Sequence, residues 1–152
     1  CHPFPAQARE LARGGARDHP RRDRLRRGLV AALEADTKQY LTAGAPSLVG
    51  PGATPQTLEW ALDMAYRADP AALVKCLRAF TETDFRSDLG TIEVPTLIMY
   101  GTADLPMIAG NAHRTHAAIA GSRLDAYEGA PHGLFITDRE RFNADLLRFA
   151  RS

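Results

Sequence analysis

The sequence is poor in cysteine, has no long hydrophobic run and carries almost no net charge, and each absence excludes a class of protein. Its two cysteines, Cys1 and Cys76, cannot form a disulfide framework, and no cysteine and histidine spacing indicates a zinc site. No segment approaches the roughly 20 apolar residues of a transmembrane helix, and the start lacks the apolar core of a signal peptide. We therefore expect a soluble, cytoplasmic protein that does not bind membranes.

The charge is unevenly distributed, although the net charge is only +1 over 152 residues. Residues 1–27 carry eight arginines against three carboxylates, a surplus of +5 that leaves −4 for the rest of the chain. No aromatic interleaving or recognition-helix motif accompanies these arginines, so we predict no nucleic-acid partner. The chain begins with Cys1 rather than methionine. We interpret residues 1–21 as an irregular Arg-rich start that results from a cut or mispredicted beginning.

A serine nucleophile in its usual hydrolase setting is also missing. The Gly-x-Ser-x-Gly motif places such a serine on a sharp turn between a strand and a helix. None of the four serines has glycine two residues before it and two residues after it: Ser47, Ser87, Ser122 and Ser152. The cysteines offer no substitute, because Cys1 is terminal and Cys76 lies in an apolar helical repeat. The serines and cysteines of this sequence therefore provide no candidate nucleophile.

Residues 22–90 have the pattern of a helical block. Apolar residues recur near the 3.6-residue helical period. Thr54-Pro55 and Asp69-Pro70 each join a preferred N-cap residue to the proline favoured at the first helical position. Gly44–Gly52, which contains two prolines, predicts a break. We therefore predict roughly three helices between residues 22 and 82.

Residues 91–152 have the pattern of a parallel α/β unit. Thr96–Tyr100 is a continuous apolar run, typical of a parallel strand covered on both faces, and Arg123–Tyr127 is a second short strand. A helical pattern follows each strand, and Thr137–Glu140 predicts a capping box at the start of the last helix. The order strand, helix, strand, helix predicts an α/β fold in which the two strands are parallel and joined by a right-handed crossover.

Two candidate catalytic residues follow these strands. Asp104 comes shortly after the first strand, and His132 comes shortly after the second. Because the carboxyl ends of parallel strands meet at one edge of a sheet, we expect the two side chains to lie close together. A carboxylate that accepts a hydrogen bond from one imidazole nitrogen fixes the tautomer, so that the other nitrogen can take a proton from a hydroxyl. Gly101 and Gly133 allow tight turns beside them.

The sequence around these residues resembles the cofactor-free haloperoxidase, perhydrolase and arylesterase group of the α/β-hydrolase superfamily. Four segments carry the resemblance: Ala79–Leu89, Ile92–Gly101, Tyr127–Gly133 and Asn143–Phe149. It implies a partial α/β-hydrolase fold, with residues 22–90 as a helical cap and residues 91–152 as the C-terminal portion of the core. It also implies that Asp104 is the triad acid and His132 the triad base, and that no metal, haem or organic cofactor takes part. The implied substrate is a small carboxylic ester, which is hydrolysed or perhydrolysed.

The sequence departs from this group in two places. Thr102 stands where the group usually has an aspartate in the acid loop, and the nucleophile and oxyanion-hole loop, which the group carries upstream of its cap, are absent. Two hypotheses follow. The chain is the C-terminal part of a serine-dependent esterase or perhydrolase, or it is a non-catalytic fragment. Such a fragment is either a truncated gene product or a piece that pairs with an N-terminal half bearing the nucleophile. Two strands are too few for an independent sheet, which favours the second hypothesis for the isolated chain.

Other residues with chemical potential have structural interpretations that we prefer. His113 and His116 share a helix face but lack the third ligand that a zinc site needs, so we predict two incidental surface histidines. Three large cap residues at helical spacing are more typical of a core than of substrate contacts: Trp60, Met64 and Phe80. Asp84 either lines an active-site entrance or has a structural role, in the cap or in a pair with Arg86, and we favour the structural role.

Overall fold

The computed structural model describes residues 20–152, without the side chains of residues 20–23 and 25. The predicted irregular start therefore lies outside the described residues, except for its last two, which begin the first helix. Two compact units are present in the described chain, one made of residues 20–46 and 54–84 and the other of residues 47–53 and 85–152. No helix in the described part of the chain is long and apolar enough to cross a membrane.

The first unit is helical and has four helices where roughly three were predicted. They are α1 (Pro20–Ala35), α2 (Thr37–Val49), α3 (Pro55–Tyr66) and α4 (Pro70–Glu82), of which the end of α2 belongs to the second unit. The extra division arises at Asp36, whose carboxylate accepts a hydrogen bond from the backbone N–H of Gln39 at 2.8 Å and so caps α2. The predicted starts of α3 and α4 are confirmed, with Thr54 and Asp69 as side-chain caps.

Two predictions for the helical block are wrong. The helix α2 continues through Pro46 to Val49 instead of breaking at Gly44. The proline lies in the last turn, and the burial of Ala45 and Val49, four residues apart, favours the continued helix. The three large cap residues predicted as core are each more than half exposed: Trp60, Met64 and Phe80. Helical spacing defines an apolar stripe, but it does not supply the surface that covers the stripe.

The second unit has the predicted strand, helix, strand, helix order. A 3₁₀ turn (Leu89–Thr91) leads to β1 (Leu97–Gly101), α5 (Pro106–Ala118), β2 (Arg123–Tyr127), α6 (Leu134–Thr137) and α7 (Arg139–Ala150). The two strands form a parallel pair, with a register that runs from Leu97 opposite Arg123 to Gly101 opposite Tyr127. The predicted parallel pairing is confirmed.

The capping box predicted at Thr137–Glu140 is wrong. Thr137 is the last residue of α6, which was not predicted, and its hydroxyl donates to the Asp138 carboxylate at 2.7 Å. The first hydrogen bond of α7 runs from the N–H of Phe142 to the carbonyl of Asp138, at 2.9 Å. The helix therefore begins one residue later, and Thr137 is engaged outside it.

The core of this unit is built around Tyr127, which is 0% exposed and packs with Ala130 and Leu134. Its hydroxyl donates to Asp145 of α7 at 2.7 Å, while the Arg141 guanidinium lies 3.9 Å from the centre of its ring. Burial, with the hydrogen bond to Asp145 and the charge of that carboxylate, raises the pKa of Tyr127 to about 12. These contacts attach α7 to β2 at the residue where the histidine loop begins.

Candidate active site

Asp104 and His132, predicted to meet at the carboxyl edge of the sheet, lie in direct contact. Asp104 Oδ2 accepts a hydrogen bond from His132 Nδ1 at 2.7 Å. Because an ionised carboxylate can only accept, this bond places the imidazole proton on Nδ1 and leaves Nε2 as the acceptor nitrogen. The arrangement is that of an acid orienting a base.

The two side chains differ sharply in exposure. The Asp104 side chain is 3% exposed, whereas that of His132 is 45% exposed. The second carboxylate oxygen of Asp104 accepts the backbone N–H of Leu105 at 2.6 Å, so both oxygens have donors and the burial of the carboxylate is compensated. The imidazole is thus fixed by a buried carboxylate and remains open to a reacting group.

Besides the bond between Asp104 and His132, three hydrogen bonds join the acid loop to the histidine loop. Thr102 donates its backbone N–H to the carbonyl of Tyr127 at 3.0 Å, and Ala103 donates to the carbonyl of Ala130 at 3.0 Å. In the opposite direction, Gly129 donates its N–H to the hydroxyl of Thr102 at 2.8 Å. Sequence reasoning identified Thr102 only as a departure from the resembling group, and it did not identify this contact.

Gly101 is required where the two loops approach each other. A Cβ at this position would overlap the backbone carbonyls of Ala130 and Pro131. The sequence predicted only that Gly101 allows a tight turn, and the structure shows in addition that the backbone of the histidine loop leaves no space for a side chain here. Gly133, which follows His132, is also restricted, because a Cβ there would lie 2.7 Å from the carbonyl oxygen of Leu48.

Ser122 forms a serine–histidine contact, but the contact lies at the wrong edge of the sheet. Its hydroxyl donates to the carbonyl of Ile119 at 2.9 Å and lies 2.8 Å from Nδ1 of His116. Ser122 is buried and precedes β2, whereas His132 follows the other end of that strand. At about 3.3 Å per residue, the five-residue strand separates the two edges by about 15 Å. Ser122 therefore closes the end of α5 and does not serve His132.

The two histidines of α5 and Asp84 were the remaining candidates. His113 Nε2 lies 2.9 Å from the Tyr100 hydroxyl, so the two histidines of α5 have different partners. No group of three potential metal ligands occurs among the described residues. Asp84 is exposed, and both of its proposed roles stay predictions.

Comparisons with known proteins show that the chain is similar to named enzymes. No family model matches the chain. It is 43% identical over 79 residues to a non-heme chloroperoxidase of Streptomyces lividans, a match that covers 51% of this chain and 29% of that protein. It is 42% identical over 77 residues to a bifunctional esterase/perhydrolase of Acinetobacter calcoaceticus, covering 49% of this chain and 27% of that protein. A putative non-heme chloroperoxidase of Synechocystis is 31% identical over 130 residues, covering 80% of this chain and 46% of that protein.

Solved structures show the same relationship in three dimensions. A bromoperoxidase from Bacillus anthracis superposes with a TM-score of 0.78 at 29% identity, covering 86% of this chain and 49% of that one. An esterase from Exiguobacterium antarcticum superposes with a TM-score of 0.80 at 27% identity, covering 86% and 48%. The chain thus spans less than half the length of these curated relatives and about half the length of these structures.

Proposed function

We propose that this chain, a homologue of the non-heme haloperoxidases and esterases with part of the α/β-hydrolase fold, supplies the acid and base of a serine-dependent esterase or perhydrolase. The resemblance and the fold class predicted from the sequence are both confirmed by the comparisons. In this proposal Asp104 is the acid and His132 is the base, residues 22–90 are the cap and residues 91–152 are the C-terminal portion of the core. The substrate is a small carboxylic ester.

The observation that carries this proposal is the 2.7 Å hydrogen bond between a nearly buried carboxylate and a half-exposed imidazole. In a serine hydrolase, the free Nε2 of the histidine takes the proton of the serine hydroxyl as its oxygen attacks the ester carbonyl. The carboxylate then stabilises the imidazolium that forms. Nε2 returns this proton to the leaving alcohol as the tetrahedral intermediate collapses to the acyl-enzyme.

The second half of the reaction determines whether the product is an acid or a peracid. Water that loses a proton to Nε2 hydrolyses the acyl-serine to a carboxylic acid, whereas hydrogen peroxide in the same position gives a peroxycarboxylic acid. A released peracid oxidises halide outside the site, which accounts for the combination of esterase, perhydrolase and haloperoxidase names among the relatives. Acyl transfer in this scheme uses side chains and backbone amides, and we propose no metal, haem or organic cofactor.

The serine and the oxyanion-hole amides have to come from residues other than those described above. We propose an N-terminal half bearing a Gly-x-Ser-x-Gly serine as the partner of this chain. One observation supports this proposal: β1 is paired only with β2 in the described sheet. The relatives are matched over less than half of their length, which is compatible with a fragment. The alternative is that the chain is a non-catalytic fragment. Under either version the chain alone has no turnover, because the members of a triad act as a unit.

Complementation tests both versions. The purified chain is assayed with p-nitrophenyl acetate and butyrate, alone and together with an N-terminal half that carries the serine motif. We expect turnover only in the mixture, loss of turnover with a serine-directed phosphonate, and loss in His132→Gln but not in the matched control His113→Gln. Phosphonate-sensitive turnover by the chain alone would exclude the need for a partner. Turnover in the mixture that His132→Gln leaves intact would exclude His132 as the base.

Three expectations from the sequence stay proposals of ours: the absence of a nucleic-acid partner, the absence of a membrane partner and a cytoplasmic location. Cell fractionation followed by immunoblotting tests the location. Equilibrium binding to duplex DNA at two salt concentrations tests the first expectation, because phosphate contacts weaken steeply with added salt.

A further inference from the structure

We infer that the backbone segment Leu48–Gly50, which we call the His132 clamp, is a positioning element for the imidazole of His132. The segment contacts the residues on both sides of the histidine. The carbonyl of Leu48 accepts the N–H of Gly133 at 2.7 Å, and Gly50 lies against the ring of Pro131. The catalytic meaning of this positioning rests on the proposed function, but the geometry itself does not.

The contact with Pro131 leaves no space for a side chain at residue 50. A Cβ on Gly50 would lie 2.7 Å from Cβ and 2.8 Å from Cγ of Pro131. The backbone of Gly50 also has φ of +76°, in the left-handed region that favours glycine. Because the proline ring is rigid, a larger residue at position 50 has to displace either the clamp or the peptide that leads into His132.

The clamp is itself held in place. Val49, between the two contacting residues, is 1% exposed and is among the most completely buried side chains of the described chain. The carbonyl of Gly50 accepts the N–H of Ala53 at 3.3 Å, which closes the turn that follows. Because the buried Val49 and the closed turn restrict the motion of the clamp, the clamp can in turn restrict the motion of Pro131 and Gly133.

His132 needs such a restraint because its side chain is half exposed. Catalysis requires the reacting groups to be held within about 0.5 Å of the productive geometry. The hydrogen bond from Nδ1 to Asp104 therefore has to be kept in place. The acid loop holds Ala130 through the N–H of Ala103. The clamp holds the next residue, Pro131, and the residue after the histidine, Gly133. The backbone is therefore held on both sides of His132.

The test compares three glycine-to-alanine variants of the full chain. Gly50→Ala introduces both the φ strain and the overlap with Pro131. Gly121→Ala introduces the φ strain alone, because Gly121 has φ of +72° and a Cβ there would have no neighbour within 4 Å. Gly52→Ala introduces neither the φ strain nor an overlap. Imidazole ¹⁵N spectra report the tautomer of His132, and hydrogen exchange reports its Nδ1–H and the Gly133 amide.

We expect Gly50→Ala to speed exchange of the His132 Nδ1–H and of the Gly133 amide by about tenfold, and to shift the tautomer signal of His132. We expect less than about a twofold change in the two other variants. The inference is overturned if Gly50→Ala affects His132 no more than Gly121→Ala does. These readouts need no ester turnover, so failure of the complementation assay leaves them standing.

A second variant covers the case in which Gly50→Ala does not fold. Pro131→Gly removes the ring that the new methyl group meets. We therefore expect the double variant Gly50→Ala/Pro131→Gly to fold and to give His132 signals like those of Pro131→Gly alone. A double variant in which residue 50 still perturbs His132 as strongly would show that the clamp does not act through Pro131, and would also overturn the inference.

Discussion

The hydroxyl of Thr102 accepts a hydrogen bond from the backbone N–H of Gly129 at 2.8 Å, across 27 residues of sequence. The bond joins the loop that carries Asp104 to the loop that carries His132. Gly129 has φ of +72°, so this turn is one that glycine favours and other residues rarely adopt. A single uncharged hydroxyl thus stabilises the turn that precedes the candidate base.

Thr102→Val is expected to loosen this connection without changing the size of the side chain. The variant leaves the Gly129 N–H without its acceptor, and we expect the free energy of unfolding to fall by about 1 kcal/mol. Exchange of the Gly129 amide should speed by roughly fivefold, the factor that corresponds to such a change. Urea unfolding and amide exchange measure the two effects.

Two controls keep the Thr102 prediction specific. Thr102→Ser retains the hydroxyl and should behave like the original chain. Thr102→Asp introduces the residue usual in the resembling group, and its carboxylate should accept the same N–H at least as well, because charge-assisted hydrogen bonds are stronger. Unchanged Gly129 exchange in Thr102→Val would show that the bond contributes nothing to the turn.

Asp104→Asn is expected to change the tautomer of His132. An amide oxygen and an amide NH₂ are nearly isosteric with a carboxylate, but the Leu105 N–H requires an acceptor at one position. The oxygen stays with Leu105, so the NH₂ faces His132, whose Nδ1 then becomes the acceptor and Nε2 carries the proton. Imidazole ¹⁵N spectra of the isolated chain should show this exchange of protonation between the two nitrogens.

The same substitution is expected to reduce ester turnover in the complemented enzyme by about 10⁴-fold, since a histidine with its proton on Nε2 cannot accept the serine proton. Asp125→Asn, on the sheet but outside the site, is the matched control. Retained turnover in Asp104→Asn would show that the hydrogen bond between Asp104 and His132 is not needed for catalysis. An unchanged tautomer of His132 would contradict the assignment of the hydrogen bonds.

The sequence predicted the central contact of the site because two rules act together. A continuous apolar run identified the first strand, Arg123–Tyr127 was identified as a second short strand, and parallel strands bring the residues that follow them to one edge. Asp104 and His132 could therefore be placed together from their positions alone. The resemblance to known enzymes then suggested which of them was the acid and which the base.

Contacts made by backbone atoms could not be predicted in the same way. The carbonyl of Leu48 and the N–H of Gly133 exist in any sequence, so no residue type or spacing marks their hydrogen bond. The sequence likewise does not indicate that the backbone of Gly50 packs against the ring of Pro131. The capping motif at Thr137 gave a wrong prediction because it takes no account of neighbouring elements. Thr137 is the last residue of α6, so it cannot also be the N-cap of α7.

Tyr127→Phe is expected to flatten the dependence of stability on pH in alkaline solution. The pKa of Tyr127 is raised from 10.0 to about 12 in the folded chain. Above pH 10 the unfolded chain releases the phenolic proton while the folded chain keeps it, so stability is lost as the pH rises from 10 to about 12. Removing the hydroxyl removes this loss. Chemical unfolding at several alkaline pH values measures the slope, with the exposed Tyr66→Phe as control; equal slopes in all three proteins would contradict the prediction.

Asp145→Asn is expected to act at the opposite end of the pH scale. The hydrogen bond from Tyr127, with that from Arg148 and the charges of Arg148 and Arg141, holds the pKa of Asp145 below its ordinary value of 3.8. A lowered carboxyl pKa stabilises the folded chain above the unfolded pKa, and this contribution is lost as the pH falls through the folded pKa. The original chain should therefore lose stability below about pH 4 more steeply than Asp145→Asn does. Urea unfolding between pH 6 and pH 2.5 measures the difference, with Asp63→Asn, at an exposed carboxylate, as control. Parallel curves for the original chain and Asp145→Asn would show that the contacts of Asp145 do not favour its charged form.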